Sequence, residues 1–201
     1  MHISEGVLSG PVLISGAALA AVGTAIGLKK LDYDQIAKAG ILSAAFFVSS
    51  LIHVPLGPST AHLILNGLVG LMLGWTAFPA ILVALALQGA FFQFGGITTL
   101  GVNTVIMAFP AVLCYLVFGH MILKSLKTAS VAAFACGFLA VLFSGLIVAM
   151  ALIFTEKNFW RVAGIIIAAH IPVMIIEGIV TAICVAFLRK VRPEMLPGYP
   201  D

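Results

Sequence analysis

The chain begins Met1–His2 in the run MHISEG, and these two residues carry three nitrogen donors in succession. They are the α-amine of Met1, the backbone nitrogen of His2 and the His2 imidazole. Together they can close two fused chelate rings in one plane around a metal acidic enough to displace the amide proton. Three coplanar nitrogens suit square-planar Ni(II) or Cu(II), and suit Zn(II), which has no such geometric preference, much less well. Imidazole is a large second side chain, so Met1 is expected to escape removal and, once deformylated, to keep its amine free. The opening MHISEGVLSG also lacks the Lys or Arg of a cleavable signal and carries Glu5, so the N-terminus is expected to be retained. Terminal tails contribute little to most folds, and this one is expected to act through its donors alone.

A fourth donor would complete the plane. His53, in LIHVPLG, and His62, in GPSTAHLILNG, both fall at the same membrane face as Met1 in the topology derived below. The bland reading of each is an interfacial imidazole that shares its polar tip with water. His62 is the favoured ligand, because Asn66 would lie one helical turn later on the same face and could support it from outside the coordination shell. His53 is the alternative. The connection FGGITTLGVNT places Gly95, Gly96, Thr98, Thr99, Gly101 and Asn103 in a loop that could close over the site or simply join two spans. Glu177 stands deep in the apolar run HIPVMIIEGIV, seven residues after His170 and hence on the same helical face. It reads either as a proton-linked group or, preferably, as a structural hydrogen-bond acceptor at a kink set by Pro172, remote from the chelate. His120, close to Lys124, reads as an interface residue at the basic end. Cys114, Cys136 and Cys184 have no CxxC spacing and read as small buried hydrophobes.

These residues must be positioned by membrane helices. Of 201 residues, 62% are hydrophobic and 8% charged, with a mean hydropathy of +1.22, far from the soluble range. Gly, Pro and charge punctuation divides the chain into seven candidate spans, roughly 8–28, 36–55, 60–75, 78–94, 104–123, 130–154 and 161–188. The third and fourth are short, which predicts tilt, a break or partial re-entry. Small residues spaced four apart in SGAALAAVGTAIG suit close helix packing in the first span. With the N-terminus outside, seven spans put Lys29, Lys30, Lys38, Lys124, Lys127, Arg189, Lys190 and Arg192 on the cytoplasmic side and leave only Lys157 and Arg161 outside. That is the bias the positive-inside rule requires. The net charge of +3 therefore reflects juxtamembrane anchors and carries no nucleic-acid signal. One all-α transmembrane domain spanning residues 1–201 is expected, in the bilayer of a prokaryotic cell membrane.

The stretches MHISEG, GPSTAHLILNGLVG and FGGITTLGVNT resemble the nickel and cobalt substrate-binding membrane proteins (S components) of energy-coupling factor transporters, and the similarity runs through most of the chain. The resemblance implies Ni(II) or Co(II) as transported substrate, held by the Met1 amine, the backbone nitrogen and ring of His2, and a later histidine that falls on His62. It implies a six-helix core with one added N-terminal helix. Cobalt-type members often read SHPTG around the later histidine where this chain reads AHLILNG, which leans the reading towards nickel.

The sequence has no GxxxxGK[ST] loop, no HExxH pair and no Ser/His/Asp arrangement, so no enzymatic activity is expected. Active uptake would need other subunits. The resemblance implies a transmembrane coupling protein, a pair of cytoplasmic ATPases and, in some relatives, a small accessory membrane subunit. A stand-alone proton-coupled permease using Glu177 and His170 is the competing reading.

Overall fold

In a lipid environment a backbone polar group has no water to turn to, so a spanning segment must satisfy its own N–H and C=O groups. The apolar runs of this chain do so as helices. The computed structural model describes residues 2–56, 59–156 and 160–198. Its helices are α1 (Gly10–Lys29), α2 (Ile36–Ser49), α3 (Asn66–Leu73), α4 (Ala77–Phe92), α5 (Leu100–Phe118), α6 (Leu126–Thr155), α7 (Trp160–Ala169) and α8 (Ile171–Val191). A two-stranded antiparallel hairpin, β1 (His53–Leu56) and β2 (Ser59–His62), lies between α2 and α3. Side chains such as Ile14, Phe154 and Phe187 face outward, as expected where the solvent is lipid.

Contacts fix which helix ends lie together. At one end Gly27 of α1 abuts Trp75 and Pro79 at the α3–α4 turn, Tyr115 of α5 covers Gly74, and Arg189 of α8 donates to the Ile122 carbonyl. Lys38 Nζ donates to the Met195 carbonyl at 2.7 Å, and Lys30 sits 5.6 Å from the Trp75 ring centre. This is the basic end. At the other end the Ser9 N–H donates to Thr155 Oγ1 at 3.2 Å, and His2 meets Gln88 of α4. This is the histidine end. Among the described residues the chain passes between the two ends seven times, with α7 and α8 making the last passage together around a joint at His170.

Two boundaries differ from the sequence reading. The second helix stops at Ser49, so His53 opens β1 and does not end a span. The third passage is helical only from Asn66, and α3 is eight residues long. All eight are buried, because α3 is wedged between neighbours at backbone distance. A Cβ on Gly67 would lie 2.7 Å from Gly137 Cα of α6, and one on Gly70 would lie 2.3 Å from the Ala111 carbonyl oxygen of α5. Protein on every side is what allows a half-length helix and an irregular lead-in at this depth. The seventh passage bends at His170, as expected of a kink set by Pro172, which occupies the first turn of α8 and needs no N–H donor there.

Candidate metal centre

The first residues are a packed part of the bundle. Ile3 and Leu8 are buried at 6% and 8% exposure, so the expectation that the tail adds nothing to the fold is corrected. Asn103 of α5 clamps the backbone on both sides. Its Oδ1 accepts from the Ile3 N–H at 2.9 Å and its Nδ2 donates to the Ile3 carbonyl at 3.0 Å. Glu5 Oε1 accepts from the Thr98 N–H at 3.0 Å and from Thr98 Oγ1 at 3.3 Å. Such close passage needs glycine. Gly95 adopts φ +83°, and a Cβ there would come within 2.8 Å of Asn103 Nδ2, while a Cβ on Gly96 would collide with Glu5 Cγ at 2.1 Å. The FGGITTLGVNT loop therefore seats the N-terminal segment.

His2 is held from α4. Gln88 is fully buried, and its Nε2 donates to the Phe46 and Phe47 carbonyls in the last turn of α2, both at 3.4 Å. Helix-terminal carbonyls lack intrahelical partners, so the amide nitrogen is drawn to that side. The Gln88 carbonyl oxygen is thereby turned to His2 Nε2, 2.8 Å away. Because this oxygen can only accept, Nε2 carries the ring proton and Nδ1 is the unprotonated nitrogen. Nδ1 is also the ring atom that can close a six-membered chelate with the His2 backbone nitrogen. His62 is set the opposite way round. Its Nδ1 donates to the Leu63 carbonyl at 2.9 Å, so Nε2 is the unprotonated atom.

The two rings lie 4.9 Å apart, centre to centre, under Phe94, whose ring is 5.6 Å from His2 and stacked at 6.1 Å on His62. With Phe46, Ser50, Leu63, Ile64 and Gln88 they line one tight pocket that leaves no space for a water molecule. Burial pushes the His2 pKa down to about 4 against the opposing Gln88 hydrogen bond, and pushes His62 down to about 3 against the opposing Leu63 bond. Both are neutral imidazoles at pH 7, the form that ligates metals. An open groove of about 700 Å³ beside Ser4, Glu5, Gln93 and Gly96 is lined by no imidazole.

Several expected residues land elsewhere. Met1 lies outside the described residues. Asn66 is not one helical turn from His62, since His62 ends β2 and Asn66 opens α3. Its amide nitrogen donates to the Met107 carbonyl at 3.1 Å and to Ser144 Oγ at 3.0 Å, tying α3 to α5 and α6. His53 is exposed and pairs with His62 across the hairpin. Glu177 is not remote from the histidines. Fully buried, its carboxylate accepts from the Ile64 N–H and from the Leu65 N–H at 2.9 and 3.0 Å, immediately after His62. Leu65 has φ +58°, and the carboxylate sits where the positive end of the α3 dipole welcomes it. Gln88 and Phe94 were not singled out from sequence. Gln88 could have been, as the lone polar side chain in the run LVALALQGAFF.

The family described as "Cobalt uptake substrate-specific transmembrane region" (CbiM) matches residues 2–195. The chain belongs to the CbiM family. Within reach of it, a Haemophilus influenzae protein described as "Putative metal transport protein" is 40% identical over 98% of this chain and 97% of its own length. The "Fused nickel transport protein NikMN" of Rhodobacter capsulatus is 38% identical over 54% of this chain and 33% of its own length. A solved transition metal transporter superposes with a TM-score of 0.80 at 26% identity, covering 95% of this chain and 93% of that one. The CbiM fold and the histidine-end site are thus properties of one and the same stretch of chain.

Proposed function

We propose that this CbiM-family chain is the substrate-binding subunit of an energy-coupling factor importer, capturing Ni(II) or Co(II) at the outer face of a prokaryotic cell membrane. The donors are the Met1 amine, the His2 backbone nitrogen, His2 Nδ1 and His62 Nε2, a planar set of four nitrogens. One observation carries this reading: the second residue of the chain is drawn into the bundle beside His62, with Gln88 selecting the tautomer that leaves Nδ1 as the donor. Tight binding requires loss of the amide proton, and the neutral rings add no further proton to displace. The fused nickel relative, two-thirds of whose length lies beyond the match, supports a companion membrane subunit. A transmembrane coupling protein and cytoplasmic ATPases complete the proposed machine.

X-ray absorption of the nickel-loaded chain tests the site. Four nitrogens in a plane are expected, and sulfur or a tetrahedral oxygen shell would refute it. His2→Ala and His62→Ala should each abolish tight binding. The competing proton-coupled permease is disfavoured because the Glu177 carboxylate is committed to the Ile64 and Leu65 N–H groups. Nickel uptake by the chain reconstituted alone, driven by a proton gradient, would restore it.

A further inference from the structure

We infer that His53 and His62 together form a capture site for the incoming divalent ion, from which it passes to the His2 chelate. The inference rests on the proposed chelate. Its own observations are the register and the tautomers of the hairpin. His53 and His62 are direct partners across β1 and β2, and their ring centres lie 6.4 Å apart. Residues directly opposite on antiparallel strands are close enough for their side chains to share a ligand. The His53 Nδ1–H donates to the Leu51 carbonyl at 2.9 Å, just as the His62 Nδ1–H donates to the Leu63 carbonyl. Both hairpin rings therefore carry the unprotonated nitrogen at Nε2. A metal–nitrogen bond is about 2.0–2.1 Å, so one ion shared by two imidazoles holds their centres no more than roughly 6–6.5 Å apart. The observed spacing is at that limit, and rotation of the exposed His53 ring closes it further.

The three imidazoles lead from the surface inwards. His53 is exposed, whereas His62 and His2 are both half-buried and line the same pocket, their ring centres 4.9 Å apart. The pocket leaves no space for even one water molecule, so it has no room for an ion with its hydration shell. Water must leave in stages, and a two-imidazole site at the mouth replaces the first of it. In the transfer the bond to His53 Nε2 breaks, the bond to His62 Nε2 is kept, and bonds to the Met1 amine, the His2 backbone nitrogen and His2 Nδ1 form. The amide proton and any proton on the amine pass to water, and the metal keeps its oxidation state.

A group used in transit and absent from the final complex changes the rates of binding and release by one factor and leaves the equilibrium untouched. His53→Ala should therefore slow both association and dissociation of Ni(II) about tenfold with Kd unchanged, read by stopped-flow absorption of the full chain in detergent. A rise in Kd through faster release would make His53 a ligand of the final site and overturn the inference, and so would unchanged rates. A second arm uses Cu(II) and its electron paramagnetic resonance. His2→Ala should keep a weak site with two imidazole nitrogens, and His2→Ala combined with His53→Ala should lose it. Persistence of that signal in the double variant refutes the capture site. Failure of the chelate itself looks different, since His2→Ala would then bind nickel as tightly as the parent.

Discussion

Replacing Gln88 by leucine removes the acceptor that holds the proton on His2 Nε2, while filling nearly the same space in α4. The His2 ring would then distribute its proton between both nitrogens, and Nε2–H would have no partner in a pocket too tight for water. Loss of an orienting partner of a ligand histidine costs about 10–100-fold in metal affinity, equivalent to about 1.4–2.8 kcal/mol. The fold should lose less. The Gln88 bonds to the Phe46 and Phe47 carbonyls are long, at 3.4 Å each, and removing weak bonds of this kind costs on the order of 1 kcal/mol. Calorimetric titration of the metal-free chain with nickel, beside thermal melting of the same samples, separates the two effects. Gln88→Glu keeps an acceptor facing Nε2 and should recover most of the affinity. Nitrogen NMR of the His2 ring without metal should show Nδ1 unprotonated in the parent and in Gln88→Glu, and a tautomer mixture in Gln88→Leu. If Gln88→Leu binds nickel like the parent while His2→Ala does not, the tautomer argument is wrong.

One residue added before Met1 moves the amine a peptide unit away, so nickel binding should collapse while circular dichroism and melting change little; unchanged affinity would remove the amine from the site. Glu177→Leu strips the acceptor from two buried N–H groups and should destabilise the chain by about 1–3 kcal/mol for each. Nickel affinity should fall with it, because the chain turns into α3 directly after His62, and a fully stable Glu177→Leu protein with parent affinity would contradict that link. For pH the folded values near 4 and 3 lie below the ordinary 6.5, so the unfolded chain takes up protons first as the solution is acidified. Stability of the metal-free protein should therefore be fully present above about pH 6.5 and decline from there towards pH 4 and 3. Melting at pH 7 and pH 5 measures this, and His62→Ala should flatten the difference.

The helical passages were legible because they depend on summed hydropathy, and the gathering of Lys30, Lys38 and Arg189 at one end follows from where the basic residues stand. The nearness of His2 to His62, whose ring centres are 4.9 Å apart, was legible because adjacent nitrogens at Met1–His2 call for one further donor. What the sequence hid were the relations made by packing. The link before Asn66 looks helical in TAHLILNG, since His62 and Asn66 stand four residues apart among apolar neighbours, and only the backbone contacts at Gly67 and Gly70 explain a helix that starts late. Glu177 looked remote from His62 because the two are far apart in the chain and share no local pattern. Gln88 was passed over because an amide in an apolar run has no spacing to read, although its burial in a membrane helix was itself a signal.

The Glu177 contact also orders events during synthesis. The Ile64 N–H and its carboxylate partner are 113 residues apart. At about 5–20 residues per second, ribosomes need roughly 6–23 s to bridge such a gap. Throughout that interval the turn after His62 lacks its buried acceptor, and its N–H groups must be served by water or translocon. The two-histidine pocket is therefore among the last features of the nascent chain to close, and a ribosome stalled before α8 leaves a membrane-inserted product with no finished place to hold an ion.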